Sequence, residues 1–115
     1  MVKTEDDVRL FLNQFFPKFD VWGILYINRE KNLEALKFLG ITPAIRDSVI
    51  RSLETLDYVE TIQSLLLSGN DDLWVFGKDY DGTELYIKIA MGIPNNKTVC
   101  ISFHLAEHPI NYAFK

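Results

Sequence analysis

A second cysteine is missing from these 115 residues, so no disulfide can close within the chain, and the lone thiol, Cys100, sits in strand-like text. A reducing, cytoplasmic setting is the simplest expectation. Also missing is any uncharged apolar run of the roughly 18 residues that a membrane-crossing helix needs. The opening Met1-Val2-Lys3-Thr4-Glu5-Asp6-Asp7 is acidic and lacks the apolar stretch of a secretion signal, so no membrane association is expected. Basic excess is absent as well. The net charge is −4, and residues 1–60 and 61–115 each carry −2 of it. A large phosphate-tracking surface normally shows as a clearly basic face, so only a local cationic patch remains open.

What the chain has is apolar material: 48% hydrophobic and 13% aromatic residues, enough for one core and one domain over 1–115. Thr4 with Asp7 forms a capping box, and Val8, Phe11, Leu12, Phe15 and Phe16 recur at helical spacing up to Pro17, where a first helix is expected to stop. Phe19 to Ile27 is rich in β-formers and predicts a strand. Asn28 then caps a helix through Leu39 that uses Leu33, Ala35 and Leu36 and stops at Gly40. Thr42-Pro43 starts a third helix running to about Leu56, on Ile45, Val49 and Leu53.

Asp57 to Ser68 fits either a helix, through Tyr58, Ile62, Leu65 and Leu66, or a strand end at Leu65-Leu66-Leu67, and is read as a connection over the core. From Asp72 the period becomes two. Leu73 to Lys78 reads as a strand, and Asp81-Gly82 as a tight hairpin turn. With Tyr80 facing Thr83, Trp74 falls opposite Ile89 and Phe76 opposite Ile87, while Val75 and Gly77 lie beside Lys88 and Tyr86. Gly92 to Asn96 is the next loop, and the tail Ile110 to Lys115 is a candidate last edge strand. The class expected is α+β: three helices packed on one face of a small antiparallel sheet.

The strands Glu84 to Ile89 and Val99 to His104 carry the chemistry. Strict alternation would put Leu85, Ile87, Ile89, Val99, Ile101 and Phe103 on the core face. Glu84, Tyr86, Lys88, Cys100, Ser102 and His104 would then fall on the other. Two registers keep both apolar sets together: one sets His104 opposite Glu84, the other opposite Tyr86 with Lys88 opposite Ser102. The plain reading of such a pair is a half-exposed hairpin with solvated polar residues. The chemical reading is a site floor.

Leu73-Trp74 followed by a turn, then Tyr86-Ile87-Lys88-Ile89 and Val99-Cys100-Ile101-Ser102-Phe103, resembles the C-terminal half of the motility-quorum-sensing-regulator (MqsR) toxins. These are RelE-like ribonucleases of bacterial toxin–antitoxin systems. The resemblance covers roughly residues 57–104, with Asp57-Tyr58 in the same order of elements. It implies a cofactor-free, metal-independent endoribonuclease (an mRNA interferase) that binds RNA and is silenced by a cognate antitoxin protein. The family tyrosine is matched by Tyr86. Its polar position after Leu-Trp is Val75 here, its lysine after Asp-Tyr is Val59, and its basic residue after Ser-Phe is His104.

Such cleavage needs a base for the 2′-OH, a cation for the phosphate and an acid for the leaving 5′-oxygen. An imidazole suits either proton transfer, its ordinary pKa being about 6.5. The expected catalytic set is His104 as general acid or base, Tyr86 as its partner and Lys88 as charge stabiliser. Lys78, Arg46 and Lys97 are the expected RNA-binding cations, with Arg51 as a supplement. His104, Glu107 and His108 leave a strand and meet Pro109, a poor metal arrangement. A thiol nucleophile at Cys100 would lack an oxyanion loop. Two other classes stay open: a non-catalytic α+β protein-interaction module, and a small-molecule hydrolase using Tyr86, His104 and Cys100.

Overall fold

The computed structural model describes residues 1–63 and 71–115 and has the expected α+β architecture. Three helices, α1 (Glu5–Trp22), α2 (Glu30–Leu39) and α3 (Pro43–Arg51), accompany a five-stranded sheet. Its strands are β1 (Ile24–Tyr26), β2 (Tyr58–Gln63), β3 (Asp72–Tyr80), β4 (Thr83–Ala90) and β5 (Thr98–Leu105), in the order β1-β5-β4-β3-β2. The sheet is mixed, because β1 runs parallel to β5 while the other neighbours are antiparallel. Among the described residues no helix is long and apolar enough to cross a membrane.

The capping box at Thr4 and Asp7 starts α1, but Pro17 does not end it. A proline inside a helix costs about 3 kcal/mol through its lost N–H and its clash with the preceding turn. Here Pro17 and Asn13, whose carbonyl loses its partner, are both exposed, so water can take that bond. Meanwhile buried Phe15 before the proline and partly buried Phe19 after it carry the apolar stripe across the break. The helix therefore absorbs much of the segment expected as a strand, and β1 keeps only three residues.

Two further boundaries differ from expectation. The residue before α2 is Arg29, which makes no side-chain cap, so Asn28 is not the capping residue; Gly40 closes α2 at φ 65° as expected. The third helix ends at Arg51, five residues early, and a short 3-10 turn at Thr55–Asp57 leads into β2. Tyr58 to Gln63 is thus an edge strand rather than a covering connection, and the Leu65-Leu66-Leu67 reading lies outside the described residues.

The β3–β4 hairpin has the expected register, Trp74 with Ile89, Phe76 with Ile87 and Tyr80 with Thr83. Its helix-facing side packs Phe76, Leu85, Ile87 and Ile89 against Val8, Phe11, Phe15 and Ile50, all almost fully buried. Phe11 stacks on Trp74 at 4.3 Å between ring centroids. Between β4 and β5 the second of the two candidate registers holds, with Tyr86 opposite His104 and Lys88 opposite Ser102.

That register then slips by one residue, so that Ile89 faces Cys100 and Ala90 faces Val99, leaving Ile101 as a bulge. An extra residue in one strand reverses which side its side chains take. Cys100 and Phe103 both point to the core, and Val99 turns to the other face beside Leu25, which pairs with it across β1. The expectation that Cys100 shares the face of His104, and Val99 that of Phe103, is corrected by this bulge.

Asn32 holds the bulged edge. β1 stops before it can pair with the second half of β5, and the Asn32 side chain stands in for the missing strand. Its amide nitrogen donates to the carbonyls of Ile27 and Ile101, each at 3.1 Å, and its oxygen accepts from the Phe103 N–H at 3.0 Å. The residue is only 5% exposed, so these backbone groups have little access to water. Asn32→Ala leaves them unpaired and is expected to lower stability by about 2–3 kcal/mol, an unsatisfied buried polar group costing about 1–3 kcal/mol. Urea unfolding of the two proteins checks this.

Candidate functional site

The sheet face opposite the helices carries two rows of side chains across the strands. One row runs Glu60, Val75, Lys88, Ser102, and the next runs Gly77, Tyr86, His104. Glu60, Lys88 and Ser102 of the first row and Tyr86 and His104 of the second line a pocket of about 620 Å³, together with Arg29, Lys31 and His108. The three expected catalytic residues are brought together there. The Tyr86 and His104 rings stack with centroids 5.2 Å apart and planes 15° from parallel, and the Lys88 ammonium lies 5.8 Å from the Tyr86 ring centre.

His104 is largely buried, and its Nδ1 lies 2.9 Å from the Leu105 carbonyl oxygen. A carbonyl only accepts, so Nδ1 carries the proton in this bond, and Nε2 is left as the basic nitrogen of the neutral ring. Tyr86 is half-buried. Burial, with the nearby Glu60 carboxylate, pushes its phenol up from the ordinary value, and Arg29 opposes that shift. The phenol therefore stays a proton-bearing donor across the physiological range.

Lys88 is held below the ordinary lysine value, first by burial and then by the Arg29 guanidinium, with Glu60 acting the other way. Arg29, placed between β1 and α2, donates from Nη1 to Ser102 Oγ at 3.1 Å. The expected site did not include Arg29 or Glu60. Arg29 lies 73 residues from its partner Ser102, and no local spacing in the sequence signals that approach.

The tail forms one wall instead of adding a strand. Glu84 accepts from the Ile110 N–H and the Tyr112 hydroxyl, the Ala113 N–H donates to the Tyr58 carbonyl, and Lys31 pairs with Glu107 at 2.7 Å. Lys31 holds the Glu107 carboxyl below the usual carboxylate range. Glu84 thus anchors the tail and does not face His104.

The expected RNA-binding cations do not reach this pocket. Lys78 lies on the helix-facing side, opposite Leu85, and pairs with Asp57 at 3.1 Å. Arg46 stacks 3.3 Å above the Tyr26 ring centre on α3, also behind the sheet. Lys97 is exposed in the loop before β5, in a separate hollow with Leu25 and Asp71. Arg51, the supplement, pairs with Asp20 at 2.8 Å. Cys100 is fully buried on the core side, where burial pushes its thiol up to about 12, so it supplies no thiolate. Among the described residues no cluster of His, Cys, Asp and Glu is arranged to hold a metal ion.

No protein-family model, no curated protein and no solved structure matches this chain.

The tail wall rests on Gly77, where a β-carbon would come within 2.6 Å of the Tyr112 hydroxyl and 2.8 Å of an Ile110 methyl. Gly77→Val should lift Ile110 and Tyr112 off the sheet. The expected readout is faster hydrogen exchange at the Ala113 amide with the β3–β4 ladder still protected; unchanged exchange at Ala113 would contradict it.

Proposed function

We propose that this protein is a metal-independent endoribonuclease of the toxin–antitoxin kind, as the resemblance of its C-terminal half to the MqsR toxins suggests, acting on messenger RNA. The observation that carries the reading is His104: an imidazole with Nδ1 committed to a backbone carbonyl, stacked on a phenol and grouped with Arg29, Lys31 and Lys88 in one pocket.

In this reading His104 Nε2 takes the proton from a ribose 2′-OH, and the resulting oxyanion attacks the adjacent phosphorus. Negative charge grows on the non-bridging oxygens, where Lys88 neutralises it in a partly dry setting. The P–O5′ bond breaks and the leaving oxygen collects a proton from the imidazolium or the Tyr86 phenol. The products are a 2′,3′-cyclic phosphate and a 5′-hydroxyl. No redox or metal cofactor is needed for this sequence of steps. Val59 and Val75, apolar where the family is polar, put the burden of charge on other residues of the pocket. A cognate antitoxin would silence the protein by covering the pocket face.

His104→Ala is expected to reduce cleavage of RNA by the purified protein at least 100-fold, general acid–base groups contributing typically about 10²–10⁴-fold. Far-ultraviolet circular dichroism should stay that of the parent, with the thermal midpoint lowered somewhat by the lost packing of the buried ring. Undiminished cleavage by the variant would overturn the assignment, and a parent protein that cleaves no RNA would favour the interaction-module reading.

A further inference from the structure

Seven salt bridges are formed among the described residues, and Arg29 and Lys88 take part in none of them. Both line the pocket that holds His104 and Tyr86. Lys31, the third cation there, is already neutralised by Glu107. Arg29 and Lys88 are linked through the floor, since Arg29 donates to Ser102 Oγ and Ser102 is the cross-strand neighbour of Lys88.

Two cations drawn together by the fold without a directly bonded carboxylate are a repulsive arrangement unless an anion joins them. Burial first and then the Arg29 guanidinium lower the affinity of Lys88 for its proton, and the second of these is that repulsion seen from one partner. A guanidinium carries five N–H donors in a flat fork, and the Ser102 bond occupies one nitrogen only, leaving the rest in the geometry that suits two oxygens of a phosphate.

We propose that Arg29 and Lys88 form a two-point clamp for one phosphodiester of a nucleic-acid strand, with Ser102 setting the orientation of the guanidinium. The inference rests on the nuclease reading for the identity of its ligand and adds a binding residue to it. The clamp places the phosphate beside His104 and Tyr86, with Glu60 as the carboxylate that limits the strength of the site for small anions. A strand contributes further contacts that inorganic phosphate cannot, so the clamp favours the polymer.

The test uses a short single-stranded DNA oligomer, which has phosphodiesters but no 2′-OH and is therefore bound without being cleaved. Affinity is measured by fluorescence anisotropy over a range of salt concentrations, with inorganic phosphate as competitor. Arg29→Gln and Lys88→Gln are each expected to weaken binding about tenfold and to lower the slope of log affinity against log salt, with the double variant losing about 0.7 in all, the change for one single-strand phosphate contact. Arg29→Lys should restore the slope, which a merely structural arginine would not do. Phosphate that competes as strongly as the oligomer would assign the site to a free anion and overturn the strand.

An Arg29→Gln protein with unchanged affinity and slope would overturn the clamp. Cleavage is scored separately on RNA with the same proteins. Oligomer binding that depends on Arg29 in a protein without ribonuclease activity would leave the clamp standing and remove the nuclease reading. Cleavage and binding both indifferent to Arg29 would do the reverse.

Discussion

The Asn32 amide, buried against the outer edge of β5, is the constraint on which the arrangement of this molecule turns. β5 must serve two purposes: its first half packs Cys100 beneath the helices, and its second half presents Ser102 and His104 on the other face. A strand of strict alternation cannot place both Cys100 and Phe103 in the core. The bulge at Ile101 resolves this, and a side-chain amide takes over the backbone bonds that β1 is too short to make. The same helix turn that supplies Asn32 brings Arg29 to Ser102. Fold and site are thus joined at one corner.

The electrostatics of the chain make sense only locally. A net charge of −4 says little about a pocket in which Arg29 and Lys88 lack ion-pair partners while Lys78 and Arg51 are neutralised by Asp57 and Asp20 elsewhere. Ion pairs occupy Lys78 and Arg51 on the helix side, whereas on the outer face Arg29 and Lys88 form none and the Glu60 carboxylate acts on Lys88 only from nearby. Long-range steering of a polyanion would be weak in such a protein, and binding would depend on short-range contacts inside the pocket.

Much of the hairpin was legible in the sequence, because Asp81-Gly82 sets the turn and Trp74, Phe76, Ile87 and Ile89 then declare a common face. Tyr86, Lys88 and His104 were legible for the same reason, as outward residues of paired strands. The failures have specific causes. Pro17 reads as a stop until tertiary burial of Phe15 and Phe19 outweighs it. Cys100 reads as outward until the bulge reverses it, and no residue type marks Ile101 as extra. Lys78 reads as a free cation although alternation places it behind the sheet, where Asp57 waits. Arg29 was invisible because its role depends on a contact 73 residues away.

The chemical account depends on which nitrogen of His104 holds the proton. Two-bond nitrogen–proton correlation spectra of ¹⁵N-histidine-labelled protein, recorded in alkaline buffer, report this directly. The prediction is a neutral His104 with Nδ1 protonated and Nε2 showing the shift of a bare, basic nitrogen. A ring protonated on Nε2 would mean that the Leu105 carbonyl does not hold it, and that the base proposed for the 2′-OH is not available in the pocket.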